Sequence, residues 1–373
     1  MLQYFGLIMN RLPTETIGEY DDSPNHTLIF LHIPKTGGKT IQHLLASRYN
    51  KHSWAELHND LAEPDLNNVL LRDLTAMPAA YRNRYKYLCG HLKFGVHRLL
   101  SNHFDYIALF RNPVDREISW FYFLLANPND VNYHRAASCK DFSEFVFKQI
   151  GVQNGMLKQL LTAEQFNCTQ DWRERLEIAK ENLRNRFLVI GDIKKFDECL
   201  ILLKKALGWK IQPVYLKKNV TQKRPKVDEI DPSVRDKIGD NNRWDMELFD
   251  YVKSVSLAEL SRQHPDFFRE VEAFKNLTSL YQKAVQDFDA ADYASARLKF
   301  ESALEIEPNS PDINNCLALV YEKLKEPISA LQCYKQALSV NPSGENIIRN
   351  CANLLTSMKM GKEAEYFRIF INK

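Results

Sequence analysis

The stretch that decides the fold of this chain is His32-Ile33-Pro34-Lys35-Thr36-Gly37-Gly38-Lys39-Thr40. An apolar run from Thr27 to Ile33 precedes it, and apolar residues at helical spacing follow it over Lys39–Arg48. This pattern predicts a buried strand, a glycine turn and a helix. Backbone N–H groups at such a turn, together with the helix dipole, favour an anionic ligand. The candidate anion-binding residues are therefore Lys35, Thr36, Gly37, Gly38, Lys39 and Thr40.

The ending Gly38-Lys39-Thr40 is typical of the Walker A loop of nucleoside triphosphatases. That motif also requires a glycine at position 33, where this chain has Ile33. Pro34 in addition stiffens the turn where the Walker loop stays open. We therefore do not expect nucleoside-triphosphatase chemistry from this loop.

Strand and helix patterns continue to alternate along the chain. Tyr106–Phe110 is a second strand candidate, and a helix opens after it at Asn112-Pro113. Phe187–Gly191 is a third, between helical patterns over Asp171–Asn185 and Phe196–Leu207. Such alternation predicts an α/β fold, in which helices flank a parallel sheet. Ligands bind such sheets at the carboxyl ends of the strands, where the two most polar turns of this chain lie.

The second of these turns carries a candidate phosphate site. Arg111 ends the strand, Asn112 suits the N-cap position, and Pro113 suits the first helical position. Arg111 can offer a planar guanidinium to a phosphate, while Ser119 follows two turns into the helix. The alternative is that Arg111 pairs only with a nearby carboxylate such as Asp115.

Together the two motifs resemble those of sulfotransferases that use 3′-phosphoadenosine 5′-phosphosulfate (PAPS). The similarity covers most of residues 26–260 and is greatest to carbohydrate sulfotransferases of the heparan-sulfate 2-O and 6-O kind and their bacterial relatives. It implies the P-loop-like sulfotransferase fold, PAPS as the sulfuryl donor and no metal. It also implies that Lys35 stabilises the leaving phosphate, that residues 36–40 cradle it, and that Arg111 and Ser119 hold the 3′-phosphate.

Three further segments resemble this family, namely Cys89-Gly90-His91-Leu92-Lys93-Phe94-Gly95, Gln153-Asn154-Gly155-Met156-Leu157-Lys158-Gln159-Leu160 and Asn219-Val220-Thr221-Gln222-Lys223-Arg224-Pro225. The first implies that His91 is the catalytic base, for which an imidazole is suited. The second places Asn154 and Lys158 near the acceptor substrate. The third implies a late loop that closes over the phosphates of the donor with Thr221 and Lys223.

The resemblance leads us to expect an enzyme that sulfates a hydroxyl group of a glycan or a glycan-like acceptor. Sulfation of protein tyrosines is an alternative, since the acceptor is chosen by loops that the motifs do not define. A further alternative is a catalytically inactive scaffold with a sulfotransferase-like fold. Intact Lys35, His91, Arg111 and Ser119 favour the enzyme.

The last part of the chain contains an internal repeat. Pro308 and Pro342 lie 34 residues apart, and small or aromatic residues recur at the same period, namely Ala284/Ala318/Ala352, Ala296/Ala330/Ala364, Ala303/Ala337 and Phe300/Tyr334. This pattern resembles the tetratricopeptide repeat, with units at 277–310, 311–344 and 345–373. It predicts a sulfotransferase domain over residues 1–276 and an all-α repeat domain over residues 277–373. The repeats either bind a protein partner or cap the enzyme.

Composition sets the remaining limits. In the 373 residues, 45% are hydrophobic and the net charge is +3, which argues against a polybasic protein that binds nucleic acid. The seven cysteines form no C-x-x-C pair, which favours reduced thiols and no zinc site. No apolar run is long enough to predict a membrane helix, so a cytoplasmic protein is expected. A polar stretch over residues 127–145 predicts a flexible loop or lid on the acceptor side.

Overall fold

The computed structural model describes residues 26–49, 52–58, 67–216, 224–342 and 344–365. These residues form two compact units. The first comprises the described parts of residues 26–203 and 224–264, and the second those of residues 204–216 and 265–365. Residue 276, where the repeat pattern places the domain boundary, lies within the helix Pro265–Asp289 of the second unit.

A sheet forms the centre of the first unit. Its strands are β1 His26–Leu31, β2 Trp54–His58, β3 Asn68–Leu70, β4 Tyr87–Gly90, β5 His103–Phe110 and β6 Phe187–Asp192. They lie in the order β3-β2-β4-β1-β5-β6, and every neighbouring pair is parallel. The α/β prediction is therefore confirmed, and with it the strands predicted before the two polar turns.

Strand β1 lies between β4 and β5, and its residues Leu28–Leu31 are completely buried. Leu31 is level with Gly90 of β4, while Phe30 is level with Ile107 of β5. Because all three strands run in the same direction, the segments that follow them meet at the carboxyl edge of the sheet. This edge brings together the first polar turn, the His91 segment and the Arg111 turn.

The helices up to residue 264 surround and follow this sheet. They are α1 Gly38–Ala46, α2 Leu71–Ala76, α3 Ala79–Arg82, α4 Pro113–Ala126, α5 Tyr133–Ala137, α6 Phe142–Phe147, α7 Gly155–Gln159, α8 Ala163–Asn167, α9 Trp172–Arg186, α10 Phe196–Ala206, α11 Pro232–Asn241 and α12 Arg243–Ser261. Helices α1, α4, α9 and α10 confirm the helical predictions. The polar stretch predicted as a loop over residues 127–145 contains α5 and the start of α6.

Aromatic side chains hold α6 against α4. The Phe121 ring of α4 lies 5.4 Å from that of Phe142 and 5.1 Å from that of Phe145, measured between ring centroids. All three residues are buried. Phe121 is therefore part of a packing face between helices, as helical spacing favours.

The second unit is all-helical. Its principal helices are α13 Pro265–Asp289, α14 Tyr293–Ile306, α15 Pro311–Lys323, α16 Pro327–Val340 and α17 Glu345–Ser357. The residues that recur every 34 positions are all at most 1% exposed, namely Ala284, Ala296, Phe300, Ala303, Ala318, Ala330, Tyr334, Ala337, Ala352 and Ala364. Small residues at these positions let neighbouring helices approach, and the two aromatics fill the remaining space. The predicted all-α repeat domain is confirmed.

Candidate active site

The turn between β1 and α1 is tightly constrained. Lys35 and Gly37 have φ angles of +68° and +75°, and the buried Thr36 hydroxyl donates to the Ile33 carbonyl over 2.8 Å. Helix α1 begins at Gly38. A β-carbon added at this position would overlap the His32 ring, so only glycine fits there. The turn therefore presents the start of a helix at the carboxyl edge of the sheet.

The turn after β5 adopts the geometry that its sequence predicts. The Asn112 side chain caps α4 by accepting from the backbone N–H groups of Val114 and Asp115. Pro113 is the first helical residue, where its missing N–H removes no helical hydrogen bond. The direction in which α4 leaves the sheet is therefore set within a few residues of the strand end.

Arg111 connects this turn with the glycine turn. Its guanidinium donates to the Lys35 carbonyl over 2.9 Å. This bond joins two motifs that lie 76 residues apart in sequence. Ser119 is buried further along α4, the helix that Arg111 precedes.

Asp115 joins Arg111 to Arg224, a cation of the late loop segment to which the sequence motifs assign no role. Its carboxylate accepts from Nε of Arg111 and from the Arg224 guanidinium, both over 2.7 Å. Burial alone would raise the pKa of Asp115, but the bonds from these two arginines hold that pKa below its usual range. The alternative considered for Arg111, pairing with Asp115, thus occurs together with its contact to the loop.

Lys35 points toward α4. Its ammonium lies 3.5 Å from the centroid of the Phe123 ring, close enough for a cation–π interaction. Burial, followed by the charges of Arg111 and Arg224, lowers the pKa of Lys35 to about 8. Sequence reasoning does not connect Phe123 with Lys35, because an aromatic residue at packing-face spacing within a helix is ordinarily part of the core.

His91 follows β4 and is exposed, while its ring lies 4.4 Å from the buried His32 ring, centroid to centroid. Its Nδ1 atom lies 2.9 Å from the His32 carbonyl oxygen. A carbonyl can only accept, so Nδ1 carries the hydrogen and Nε2 keeps its lone pair. Partial desolvation by the surrounding protein lowers the pKa of His91. The ring is therefore arranged to accept a proton at Nε2.

Two other predicted loop residues belong to the start of α1. The Lys39 ammonium lies 2.9 Å from a carboxylate oxygen of Glu56 on β2. Burial would raise the pKa of Glu56, but the hydrogen bond from Lys39 lowers it overall. The backbone N–H of Thr40 donates to the Gly37 carbonyl over 3.3 Å. Lys39 is thus directed toward β2, the strand on the far side of β4 from β1.

The remaining predicted residues either make contacts outside the glycine turn or fall outside the described residues. The buried Asn154 side chain accepts from the backbone N–H groups at positions 244 and 245. The Lys158 ammonium lies 5.6 Å from the centroid of a Trp172 ring. Thr221 and Lys223 fall among residues 217–223, which the structure does not describe.

A strand, a glycine turn at a helix start and clustered cations are together suited to a phosphorylated ligand. Comparison with known proteins then identifies the family: residues 18–252 match the model of the sulfotransferase family, and the chain belongs to it. It is 24% identical over 263 residues to human galactose-3-O-sulfotransferase 2, covering 65% of this chain and 63% of that protein. It is also 24% identical over 197 residues to the Caenorhabditis elegans heparan sulfate 2-O-sulfotransferase hst-2, covering 47% of this chain and 58% of that protein.

The chain thus spans about three fifths of the length of these two relatives. Among solved structures, the crystal structure of the P58(IPK) TPR domain is similar at 13% identity with a TM-score of 0.27, covering 69% of this chain and 72% of that one. A score this low does not support a shared fold. Within the part of the chain that the structure describes, no helix has the length and apolar character needed to cross a membrane.

Proposed function

We propose that this protein transfers a sulfuryl group from PAPS to a hydroxyl group of a glycan. One observation carries the proposal: Arg111 donates to the Lys35 carbonyl and His91 to the His32 carbonyl. Three motifs that are separate in sequence therefore share one edge of the sheet. The two relatives named for galactose and heparan sulfate favour a glycan as the acceptor.

The residues present fit a donor with two phosphorylated ends. Three cations, Lys35, Arg111 and Arg224, lie around the loop. Beside the start of α1, the buried Nδ1 of His32 has no hydrogen-bond partner among the described residues. Lys35 and the loop amides would hold the 5′-phosphosulfate, and Arg111 with Ser119 the 3′-phosphate. PAPS supplies the activated sulfuryl group, whose bridging S–O bond breaks during transfer.

The proton balance of the transfer assigns a task to His91. As the acceptor oxygen bonds to sulfur, the hydroxyl proton moves to Nε2 of His91. His91 later releases this proton to solvent. The electron pair of the broken S–O bond remains on the nucleotide phosphate, where the charge of Lys35 stabilises it. The lowered pKa of His91 keeps the imidazole neutral, and so able to accept the proton, near neutral pH.

The test has a binding step and a transfer step. Calorimetric titration with adenosine 3′,5′-bisphosphate should show binding that is at least about tenfold tighter than binding of adenosine 5′-diphosphate, which lacks the 3′-phosphate. The sulfuryl group of labelled PAPS should then be transferred to members of a panel of galactose-containing and uronate-containing glycans. Equal affinity for both nucleotides would contradict the proposed donor. Transfer to tyrosine peptides alone would contradict the proposed acceptor.

We also infer that the two domains predicted from the repeat pattern have separate functions: residues 1–276 carry out catalysis, and residues 277–373 bind a protein partner. The first helices of the second and third repeats contact each other, since the Asn350 amide donates to the Asn315 side chain over 3.0 Å. Such stacked helix pairs give extended binding surfaces. Chemical cross-linking in the source cells should place partner contacts on α15 and α17. Contacts confined to residues 26–260 would contradict this inference.

A further inference from the structure

Gln159, the last residue of α7, contacts the protein on both sides of His91. Its side-chain amide donates to the His32 carbonyl over 2.9 Å, the same oxygen that accepts from Nδ1 of His91. Its own backbone carbonyl accepts from the N–H of Phe94, three residues after His91, over 2.8 Å. Gln159 therefore connects the end of β1 with the segment that carries His91.

The shared carbonyl determines which nitrogen of His91 accepts a proton. A carbonyl oxygen has two lone pairs and can accept two hydrogen bonds, and the His32 oxygen lies 2.9 Å from both Nε2 of Gln159 and Nδ1 of His91. The hydrogen bond from the Gln159 side-chain amide limits how far the His32 oxygen can turn away from the His91 imidazole. The hydrogen consequently stays on Nδ1, and Nε2 remains the accepting atom.

A buried carboxylate in turn holds helix α7 in place. The two carboxylate oxygens of Asp245 accept from the backbone N–H groups of Met156 and Leu157, over 3.0 and 2.8 Å. Asp245 is completely buried, and its own backbone N–H donates to the Asn154 side chain. The start of α7 is therefore fixed, and Gln159 lies one helical turn further on, within reach of the carbonyl at the end of β1.

We propose that Gln159 is a positioning residue that fixes the orientation and tautomer of the His91 imidazole. The catalytic part of this proposal rests on the proposed sulfuryl transfer, whereas the tautomer itself is a property of the free protein. Gln159→Leu keeps most of the side-chain volume and removes the donor. We expect it to lower kcat about 10- to 100-fold, because a misoriented base loses the benefit of alignment. The KM for the donor should stay unchanged.

Histidine ¹⁵N NMR of the full chain tests the positioning directly. The signals of His91 are assigned by their loss in His91→Gln. In the wild type, the neutral ring should be the Nδ1–H tautomer, and in Gln159→Leu it should be a mixture of both tautomers. Gln159→Glu has the same shape without a donor and should behave like Gln159→Leu. Gln153→Leu is the matched control, because the Gln153 side chain donates to Gln149 at the surface rather than to the His91 segment.

The outcomes separate the two proposals. An Nε2–H tautomer in the wild type, or an unchanged tautomer in both Gln159 variants, would overturn the positioning role. If the tautomer shifts as expected but adenosine 3′,5′-bisphosphate does not bind the wild type, the positioning role stands and the proposed donor fails. If Gln159→Leu does not fold, the tautomers in the wild type and in Gln159→Glu still test the positioning role of Gln159. A fall in kcat that the Gln153→Leu control shares would also count against Gln159.

Discussion

Raising the pH through 8 should weaken nucleotide binding, because it removes the charge of Lys35. Burial lowers the pKa of this lysine to about 8, and the charges of Arg111 and Arg224 add to the shift. A bound phosphate favours the charged ammonium, so binding must take up a proton wherever the free protein has lost it. Affinity should consequently fall as the pH rises above 8.

The size of the effect follows from the pKa of about 8. About ten elevenths of the Lys35 side chains are charged at pH 7, and about one eleventh at pH 9. Affinity that requires the charged form therefore falls about tenfold between these two values, equivalent to about 1.4 kcal/mol. At pH 8, binding should take up about half a proton for each nucleotide.

Isothermal titration calorimetry with adenosine 3′,5′-bisphosphate measures both quantities. Titrations at pH 7, 8 and 9 give the affinity, and pairs of buffers with different ionisation enthalpies give the proton uptake. Lys35→Arg is the control, because a guanidinium stays charged throughout this range. Constant affinity in the wild type from pH 7 to 9 would refute the reasoning. So would an equal loss of affinity in Lys35→Arg.

Three further outcomes are expected. In Gly38→Ala the added β-carbon would overlap the His32 ring, which should lower the free energy of unfolding in urea by about 1–3 kcal/mol and weaken nucleotide binding. The control is Gly239→Ala, which should not destabilise the protein, because the space around the added carbon is open. His91→Gln should lower the transfer rate at least about 100-fold and leave nucleotide affinity unchanged; near-normal turnover would remove His91 from the mechanism. Burial lowers the pKa of His97 to about 4, so the folded state favours the neutral imidazole. The folded protein therefore keeps its full stability above the pKa of the unfolded histidine, and loses part of it as the pH falls toward 4, because the unfolded chain takes up the proton first. Because solvent screens this half-buried ring, the free energy of unfolding should drop by only about 1 kcal/mol from pH 7 to pH 5, and a drop of the same size in His97→Gln would rule out this cause.

The sequence predicts those parts of the fold whose signals are local. The apolar run before Pro34 and the N-cap at Asn112 each specify a strand end and a helix start within a few residues, and both are confirmed. Strands β2, β3 and β4 have no such signal. They are five residues or fewer, and β2 carries the polar residues Glu56 and His58 among its apolar ones. Such short segments gain their strand conformation from pairing within the sheet rather than from their own composition.

The site divides in the same way. Lys35, Arg111 and His91 lie in motifs with recognisable spacing, and the structure brings their segments to one edge of the sheet. Arg224 and Gln159 lie in segments that resemble the family, but the resemblance gives neither residue a role, because their contacts cross 109 and 127 residues of chain. A basic residue in a polar loop and a glutamine at a helix end are both common at a protein surface. Only the folded arrangement distinguishes these two from other surface residues.

Asp115 explains how like charges can be held together before any anion binds. Arg111, Arg224 and Lys35 lie close enough for the two arginines to lower the pKa of the lysine, so their mutual repulsion opposes this arrangement. One carboxylate oxygen of Asp115 binds each arginine, and both bonds are 2.7 Å long. The Asp115 carboxylate offsets part of the repulsion and still leaves the guanidinium groups with N–H donors to spare. In the proposed donor site, Asp115 would therefore preorganise the cations before the donor phosphate binds.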